Sequence, residues 1–427
     1  MSQFNVQKNS TNPDQVYFDL TVTNFESTTT VPPVFYFNES RTMPFIENPE
    51  DYFLSIVRFT VETTTLPTQI VSIQPNQTDV DATIYSVTLE YNGTAVQTFI
   101  KWKPQDVAAI KPLAPAFTSN GLQNNDTGYY FAYSYTWFID LVNEALSTCF
   151  GDLQTALLPA TPLATTFPPS LQWDTTSNRA ILNADVAFYN TAPNPESASI
   201  CRIFFNAPLF TYFSSLPSKY YGYTGVTQGR NFQPLINNTN SLNLQTISPF
   251  PVPVLPQPTT YRSMSLYQEV STIANWTPIT SIVFLSATLP IVPNQVSTPL
   301  IFNNAQQVSL GGNNAAVANI VTDLVVETGE YRPNLVYIPS AQYRLLTLRG
   351  NQPLKNLDLE IAWRTKSGNL VPFRLGSGQT VTMKIAFLKK DSVQLANHLN
   401  PLLPTTSIKP NFPNQLAGFS LAPNYHA

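Results

Sequence analysis

The stretch Ile84-Tyr-Ser-Val-Thr-Leu-Glu-Tyr-Asn-Gly-Thr-Ala-Val-Gln-Thr-Phe-Ile-Lys-Trp102 decides the fold class. Tyr, Val, Thr and Ile are over-used on both sides of a central Asn92-Gly93, and such residues fit a pleated, half-buried surface. Asn-Gly supplies the positive φ angles of a tight two-residue turn, so residues 84–90 and 98–102 are expected to pair as a hairpin. The same texture recurs outward in both directions. Strands are expected at 16–22 and 52–61 before the hairpin, and at 171–174, 180–188 and 200–205 after it. Beyond residue 258 they are expected at 264–273, 279–289, 307–310, 318–327, 343–348, 357–363, 370–375 and 381–388.

Two helical patches interrupt the strands. Residues 135–146 place Trp137, Phe138, Leu141, Val142, Ala145 and Leu146 on one stripe, with Ser134 as N-cap and Gly151 past the end. Residues 208–216 form a shorter candidate with Pro208 in its first turn. The run Ser248-Pro-Phe-Pro-Val-Pro-Val-Leu-Pro-Gln-Pro258 has too many prolines for a helix or a central strand, and reads as a linker. The expected fold is all-β. A count near eight strands per half points to a jelly-roll sandwich, in two tandem modules with one or two short inserted helices. The corresponding boundaries are a first module at 1–247, a linker at 248–258, a second module at 259–391 and an extended C-terminal arm at 392–427. One jelly roll interrupted by a large insertion is the alternative.

The 427 residues leave room for between two and three domains of roughly 150 residues. Lys and Arg number 22 against 26 Asp and Glu, and charged residues make up only 11% of the chain. That is less than half the usual fraction of about 25%. With 43% hydrophobic residues the composition is not that of a disordered chain. The surface must therefore be covered by Thr, Ser, Asn, Gln and Pro, or buried against other copies. Thirty-seven prolines against 15 glycines stiffen the loops and exclude long helices over most of the length. The N-terminal residues lack a basic region followed by an apolar one, and no run approaches ~18 apolar residues, so neither conventional secretion nor a membrane span is expected. Asn-X-Ser/Thr sequons at Asn38, Asn92 and Asn275 are then products of composition.

The sequence offers little for catalysis. Its only histidines are His398 and His426, in the C-terminal tail. The patterns HExxH, GxSxG, GxxxxGK[ST] and GxGxxG do not occur, which removes support for metalloprotease, esterase, nucleotide-hydrolase and dinucleotide-binding readings. Asp358 and Glu360 alternate on one strand face, and Asp81, Glu90 or Asp174 could in principle meet as a carboxylate pair. Structural roles are the expectation for each. Cys149 and Cys201 provide no metal or disulfide framework and read as small buried hydrophobes. The five tryptophans are dispersed, which suits packing better than a ligand platform. Neither an enzyme nor a cofactor is expected.

Charge is unevenly distributed along the chain. Residues 332–390 hold ten basic side chains against Asp358 and Glu360, a local +8, so the remaining residues carry −12. The candidate basic face comprises Arg344, Arg349, Lys355, Arg364, Lys366, Arg374, Lys384, Lys389 and Lys390. Its simplest use is pairing with acidic surfaces of neighbouring subunits. A sharper alternative is non-specific contact with packaged nucleic acid.

A family resemblance rests on spaced blocks in the last third. Tyr267-Gln-Glu-Val-Ser-Thr-Ile-Ala-Asn-Trp-Thr-Pro-Ile-Thr-Ser-Ile-Val-Phe284 leads into Ser286-Ala-Thr-Leu-Pro290. Ile320-Val-Thr-Asp-Leu324, Tyr337-Ile-Pro-Ser-Ala-Gln-Tyr-Arg344 and Pro353-Leu-Lys-Asn-Leu-Asp358 follow, then Met383-Lys-Ile-Ala-Phe-Leu-Lys-Lys390. Residues 267–390 thereby resemble the C-terminal jelly roll of penton-type or minor capsid proteins of virophages, polinton-like viruses and related eukaryotic DNA viruses. The resemblance implies a structural virion protein that is built into an icosahedral capsid. Its place would be a penton at the vertices or, alternatively, a double jelly-roll major capsid protein forming trimers. The implied partners are copies of itself, as pentamer or trimer, and neighbouring capsid proteins. A low-charge β protein with 20 Tyr and 27 Phe suits such extensive subunit contact. A receptor- or glycan-binding spike module is the competing class, with the loops at 121–128 and 311–314 as its candidate contacts.

Overall fold

The decapeptide Thr-Val-Thr-Met-Lys-Ile-Ala-Phe-Leu-Lys at Thr380–Lys389 shows how the sequence builds its sheets. Val381, Met383, Ile385 and Phe387 are buried in one core, while Thr382 and Lys384 face outward. The protein is represented by a computed structural model that describes residues 13–392, except 27–31, 76, 115–122, 124–126, 161–162, 164–165, 224–225, 238–241, 247–259, 298–299, 303–304, 308–314, 326–333 and 338–344. The expected linker at 248–258, all but the first residue of the expected arm at 392–427, and Arg344 lie outside the described residues. So do both histidines and most of the candidate loops.

Eight principal strands build a sandwich, to which the short strands Leu346–Thr347 and Leu370–Pro372 are added. In chain order the eight are β1 (Gln15–Thr23), β2 (Tyr36–Ser40), β3 (Tyr52–Glu62), β4 (Ile279–Leu285), β5 (Ile320–Val325), β6 (Asn334–Tyr337), β7 (Asn356–Thr365) and β8 (Thr380–Lys389). One sheet runs β1-β8-β3-β6 and the other β2-β7-β4-β5, with antiparallel pairing throughout. This interleaving of early and late strands is the jelly-roll arrangement, in which hairpin partners lie far apart in sequence. The sheets meet face to face, and Phe59 of β3 sets its ring edge-on against Phe284 of β4, centroids 4.8 Å apart. Phe18, Phe45 and Phe387 fill one end of the same core.

The tandem division is therefore corrected to a nested one. A boundary at 248–258 would place β1–β3 in a module separate from β7 and β8, yet β1 pairs with β8 over nine registered residues and β2 pairs with β7. The interruption falls between β3 and β4. Its buried residues, from Val71 to Trp276, form a second core of their own. Within it the strands order as Ser218–Tyr220, Phe232–Pro234, Arg202–Phe205, Ala82–Tyr91 and Thr94–Lys101 in one sheet. The other sheet orders as Leu242–Thr246, Thr260–Tyr267, Arg179–Asp185 and Ser170–Asp174.

The hairpin is present as expected: Asn92 and Gly93 turn at φ 48° and 79° between Ala82–Tyr91 and Thr94–Lys101. The first helix, α1 (Tyr135–Ala156), is longer than expected. Cys149, Phe150 and Leu153 extend its apolar stripe, so Gly151 is buried inside the helix instead of capping it. The expected strand at 180–188 ends at Asp185, whose side chain accepts from the backbone N–H of Ala187 at 2.9 Å and starts a helical turn. The expected helix at 208–216 is a single turn, Ala207–Phe210, followed by a 3-10 turn at Thr211–Phe213.

Insert and sandwich meet at a neck where Phe131 joins the buried core of the sandwich. Phe131 packs edge-on to Trp363 of β7, centroids 5.7 Å apart. The Lys366 ammonium donates to the carbonyls of Ala274 (2.8 Å) and Asn275 (3.3 Å), and burial lowers its pKa. On the sandwich itself, Asp358 of β7 is buried and holds the turn after β4. It accepts from Ser286 Oγ at 2.6 Å, the Ala287 N–H at 2.8 Å and the Thr288 N–H at 2.9 Å, as well as from the Thr288 hydroxyl. Desolvation pushes its carboxyl up, but these donors together hold it below the usual carboxylate range.

A carboxylate so depressed contributes stability that is present above its unfolded pKa of about 3.9 and is lost as pH falls through the folded value. Asp358→Asn should lose about 2–3 kcal/mol in urea unfolding near pH 7, and its deficit relative to the parent should shrink at pH 3. A deficit of equal size at both pH values would contradict the assignment. The nesting makes a second prediction. A fragment of residues 67–278 should unfold cooperatively on its own, whereas residues 259–391, which lack β1–β3, should show no cooperative transition by circular dichroism.

Candidate functional site

The basic segment shows whether the chain presents a charged functional face. β7 and β8 belong to different sheets, so Arg364 and Lys384 point to opposite outer surfaces of the sandwich. Lys384 lies 3.5 Å from Asp19 of β1 and over the Tyr17 ring at 5.0 Å, with Arg58 of β3 also 3.6 Å from Asp19. Arg364 reaches Asp323 of β5 at 3.9 Å. Arg374 donates to the Pro32 carbonyl at 2.9 Å, and Lys390 to the Glu50 carbonyl, with its ammonium over the Phe53 ring. Lys366 is spent at the neck. Lys355 and Arg349 are exposed, and Lys389 is half-buried, each holding a backbone contact to Arg41, Pro290 or Asp14.

The single basic face is thus corrected to a scatter over both surfaces and the neck. The cause is strand order. Residues 13–51 contain seven acids and only Arg41, and β1 and β2 lie directly beside the basic strands β8 and β7. Lys384 thereby meets Asp19 of β1, and Arg364 meets Asp323 of β5. The acidic character of residues 13–51 was the missed signal, visible once this segment is weighed separately from the rest.

The candidate acids have separate structural roles. Asp81 accepts from the Lys111 ammonium and the Tyr129 hydroxyl, both at 2.7 Å. Glu90, buried in the insert, is clamped between Arg202 on the paired strand and Arg230, whose Nη1 is 2.8 Å away. Asp174 accepts from Ser177 and from the Thr176 N–H within a turn, and these bonds lower its pKa. Asp358 holds the turn after β4. Glu360 stands on the outer face of β7, beside Tyr36 of β2. Cys149 and Cys201 are free thiols in the insert core, and burial pushes them up to about 11 and about 12, which leaves them protonated and unreactive at neutral pH. Trp102, Trp276 and Trp363 are buried, and Trp276 is ringed by Tyr135, Phe138, Trp173, Tyr212 and Phe213. Among the described residues no three His, Cys, Asp or Glu side chains gather into a metal site, and no helix is long and apolar enough to cross a membrane.

What the surface offers instead is apolar and aromatic. Tyr17, Phe25, Val34, Tyr36 and Met43 are exposed along the β1/β2 side of the sandwich, and Val325 and Val336 on the β5/β6 side. Such a distribution is suited to contact between chains rather than to chemistry on a small molecule.

Comparison with known proteins agrees. The model of the family described as Sputnik minor capsid protein V18/19 matches residues 16–389. The chain is 36% identical over 156 residues to the uncharacterized protein V18 of Sputnik virophage, covering 36% of this chain and 92% of that protein. It is 26% identical over 225 residues to structural protein V19 of the same virophage, covering 52% of this chain and 94% of that protein. A chain in the 3.5 Å cryo-EM structure of the Sputnik virophage superposes with a TM-score of 0.72 at 27% identity, over 90% of this chain and 99% of that one. The mavirus penton protein shares the fold, with a TM-score of 0.54 at 11% identity over 88% of this chain and 99% of that one. The family match begins inside β1 and ends at the last residue of β8, spanning the two strands whose pairing closes the sandwich, and the chain belongs to the Sputnik minor capsid protein V18/19 family.

Proposed function

We propose that this chain is the vertex capsomer of its virion, five copies closing a ring at each five-fold axis and meeting the neighbouring capsid proteins around its rim. The observation that carries this reading is one jelly-roll sandwich per chain, with the rest of the length spent on an insert that is not a second jelly roll. A trimeric double jelly-roll subunit needs two such sandwiches in each chain, and the nested topology supplies one among the described residues. The likeness of fold to the mavirus penton protein over nearly its whole length supports the same role. A low charge fraction and apolar sides fit a subunit that is mostly covered by neighbours.

The basic residues serve the sandwich and its contacts rather than the genome. Most of those described are tied to acids or carbonyls, and they are divided between opposite surfaces. Electrostatic attraction to phosphate needs unneutralised cations gathered on one side.

Mass photometry of the purified chain should give a pentamer of about 240 kDa, five chains of 47.4 kDa, at both low and moderate salt. A trimer near 140 kDa, or a monomer that never enters particles, would contradict the vertex role.

A further inference from the structure

The insert carries an aromatic cluster that its core leaves open to water. Tyr220, at the end of the edge strand Ser218–Tyr220, is 49% exposed, and Tyr223, three residues on, is 69% exposed. Their ring centroids are 5.2 Å apart, and each also meets the half-buried ring of Phe232, at 4.9 and 5.8 Å. Phe232 is in turn stacked on the buried Phe210, centroids 3.9 Å apart and planes 8° apart, so the floor of the cluster is anchored in the insert core.

The backbone is shaped to keep these two tyrosines together on one face. Strand alternation sends Lys219 to the face opposite Tyr220, in register with Gln233. Tyr221 turns to that opposite face as well, where its hydroxyl donates to Gln233 Oε1 at 2.7 Å and its ring packs on Phe204. Gly222 then adopts φ 116°, a conformation that side chains resist, and its carbonyl accepts from Nδ2 of the buried Asn231 at 2.6 Å. The Tyr221 N–H donates to the Asn231 carbonyl at 2.9 Å. This turn returns Tyr223 to the Tyr220 side, and the exposed rings are held from behind by buried groups. Keeping apolar surface in water forgoes the free energy of burying it, and a ligand that covers the rings recovers that free energy.

The chemistry of the cluster selects the ligand. It holds no free charge: Lys219 lies on the other face and is bridged to Glu196, and Arg230, two residues before Phe232, is bridged to Glu90. Neither the Tyr220 nor the Tyr223 hydroxyl has a hydrogen-bond partner among the described residues. Aromatic faces are electron-rich and attract polarised C–H groups, while free phenol hydroxyls both donate and accept hydrogen bonds. A neutral sugar ring matches both features, with an apolar C–H face bounded by hydroxyls. A protein partner does not match the size. With side chains of about 150–250 Å² each and these exposures, the three rings present less than about half of the roughly 800 Å² per partner in a stable protein contact.

We propose that Tyr220, Tyr223 and Phe232 form a carbohydrate-binding platform on the insert, on which a neutral sugar ring stacks against the two tyrosines. The platform adds glycan recognition to the structural role of the chain and is independent of how many copies assemble.

The test is titration of the full-length chain, in its native assembly, over an array of neutral oligosaccharides (cellohexaose, chitohexaose, maltohexaose and mannohexaose) and sialylated glycans. The parent should bind at least one neutral oligosaccharide. Tyr220→Ala and Tyr223→Ala should each weaken that binding by about tenfold or more, with circular dichroism and assembly mass unchanged. Tyr223→Phe, which keeps the stacking face, should lose less than Tyr223→Ala, and Lys219→Ala, on the opposite face, should bind as the parent does. Binding that survives both alanine variants, a preference for the sialylated glycans, or no binding to any neutral oligosaccharide would overturn the platform.

Discussion

Everything in the sandwich depends on the antiparallel pairing of β1 with β8. Nine residue pairs, from Gln15 with Leu388 to Thr23 with Thr380, join segments more than 350 residues apart. β8 also pairs with β3, so it is the interior strand through which the first sheet holds together. Loop-closure entropy grows only logarithmically with length, so a 216-residue excursion between β3 and β4 raises the equilibrium cost modestly, provided that it is itself folded. The insert meets that condition by burying its own core, with α1 and Trp276 at the centre. The kinetic consequence is heavier. A topology closed by such distant contacts folds slowly, and the first sheet stays incomplete until its interior strand β8, the last one, has been synthesised.

The local structure was largely legible in the sequence, and the partners were not. Alternation in 52–61, 279–289 and 381–388 marks each strand and the face it buries, because the side-chain period of two is a property of the strand alone. Nothing in that period says which strand lies alongside. The proline-rich run at 248–258 suggested a boundary between halves, yet the two cores divide at residues near 63 and 278, where Thr63 and Pro278 sit in ordinary-looking sequence. β2 escaped notice because Tyr36-Phe-Asn-Glu-Ser40 is polar and half-exposed, as suits an edge strand. The length of α1 was hidden by Gly151, which reads as a stop but is carried inside by the apolar residues on either side of it.

The charge pattern illustrates the same distinction. A +8 segment is conspicuous along the chain, and in isolation it suggests an external partner. Once β7 and β8 are placed in different sheets, beside β2 and β1, the basic residues are divided between two surfaces and Lys384 stands next to Asp19. Exposed pairs of this kind contribute little stability each, about 0–1 kcal/mol. Their removal of long-range repulsion still matters where many copies are packed closely. What remains exposed on the sides of the sandwich is apolar and aromatic, from Tyr17 and Tyr36 to Val325 and Val336.

The pairing of the chain's two ends is the claim most directly open to measurement. The side-chain hydroxyls of Thr23 and Thr380 are 3.0 Å apart, across neighbouring strands. With Thr23→Cys and Thr380→Cys introduced together, mild oxidation of the native protein should form a disulfide between the two new residues, while the buried Cys149 and Cys201 stay reduced, as peptide mass mapping would show. Failure of the 23–380 bridge to form in folded protein, while both new thiols remain reactive, would mean that β1 does not lie on β8 and that the nested sandwich is wrong.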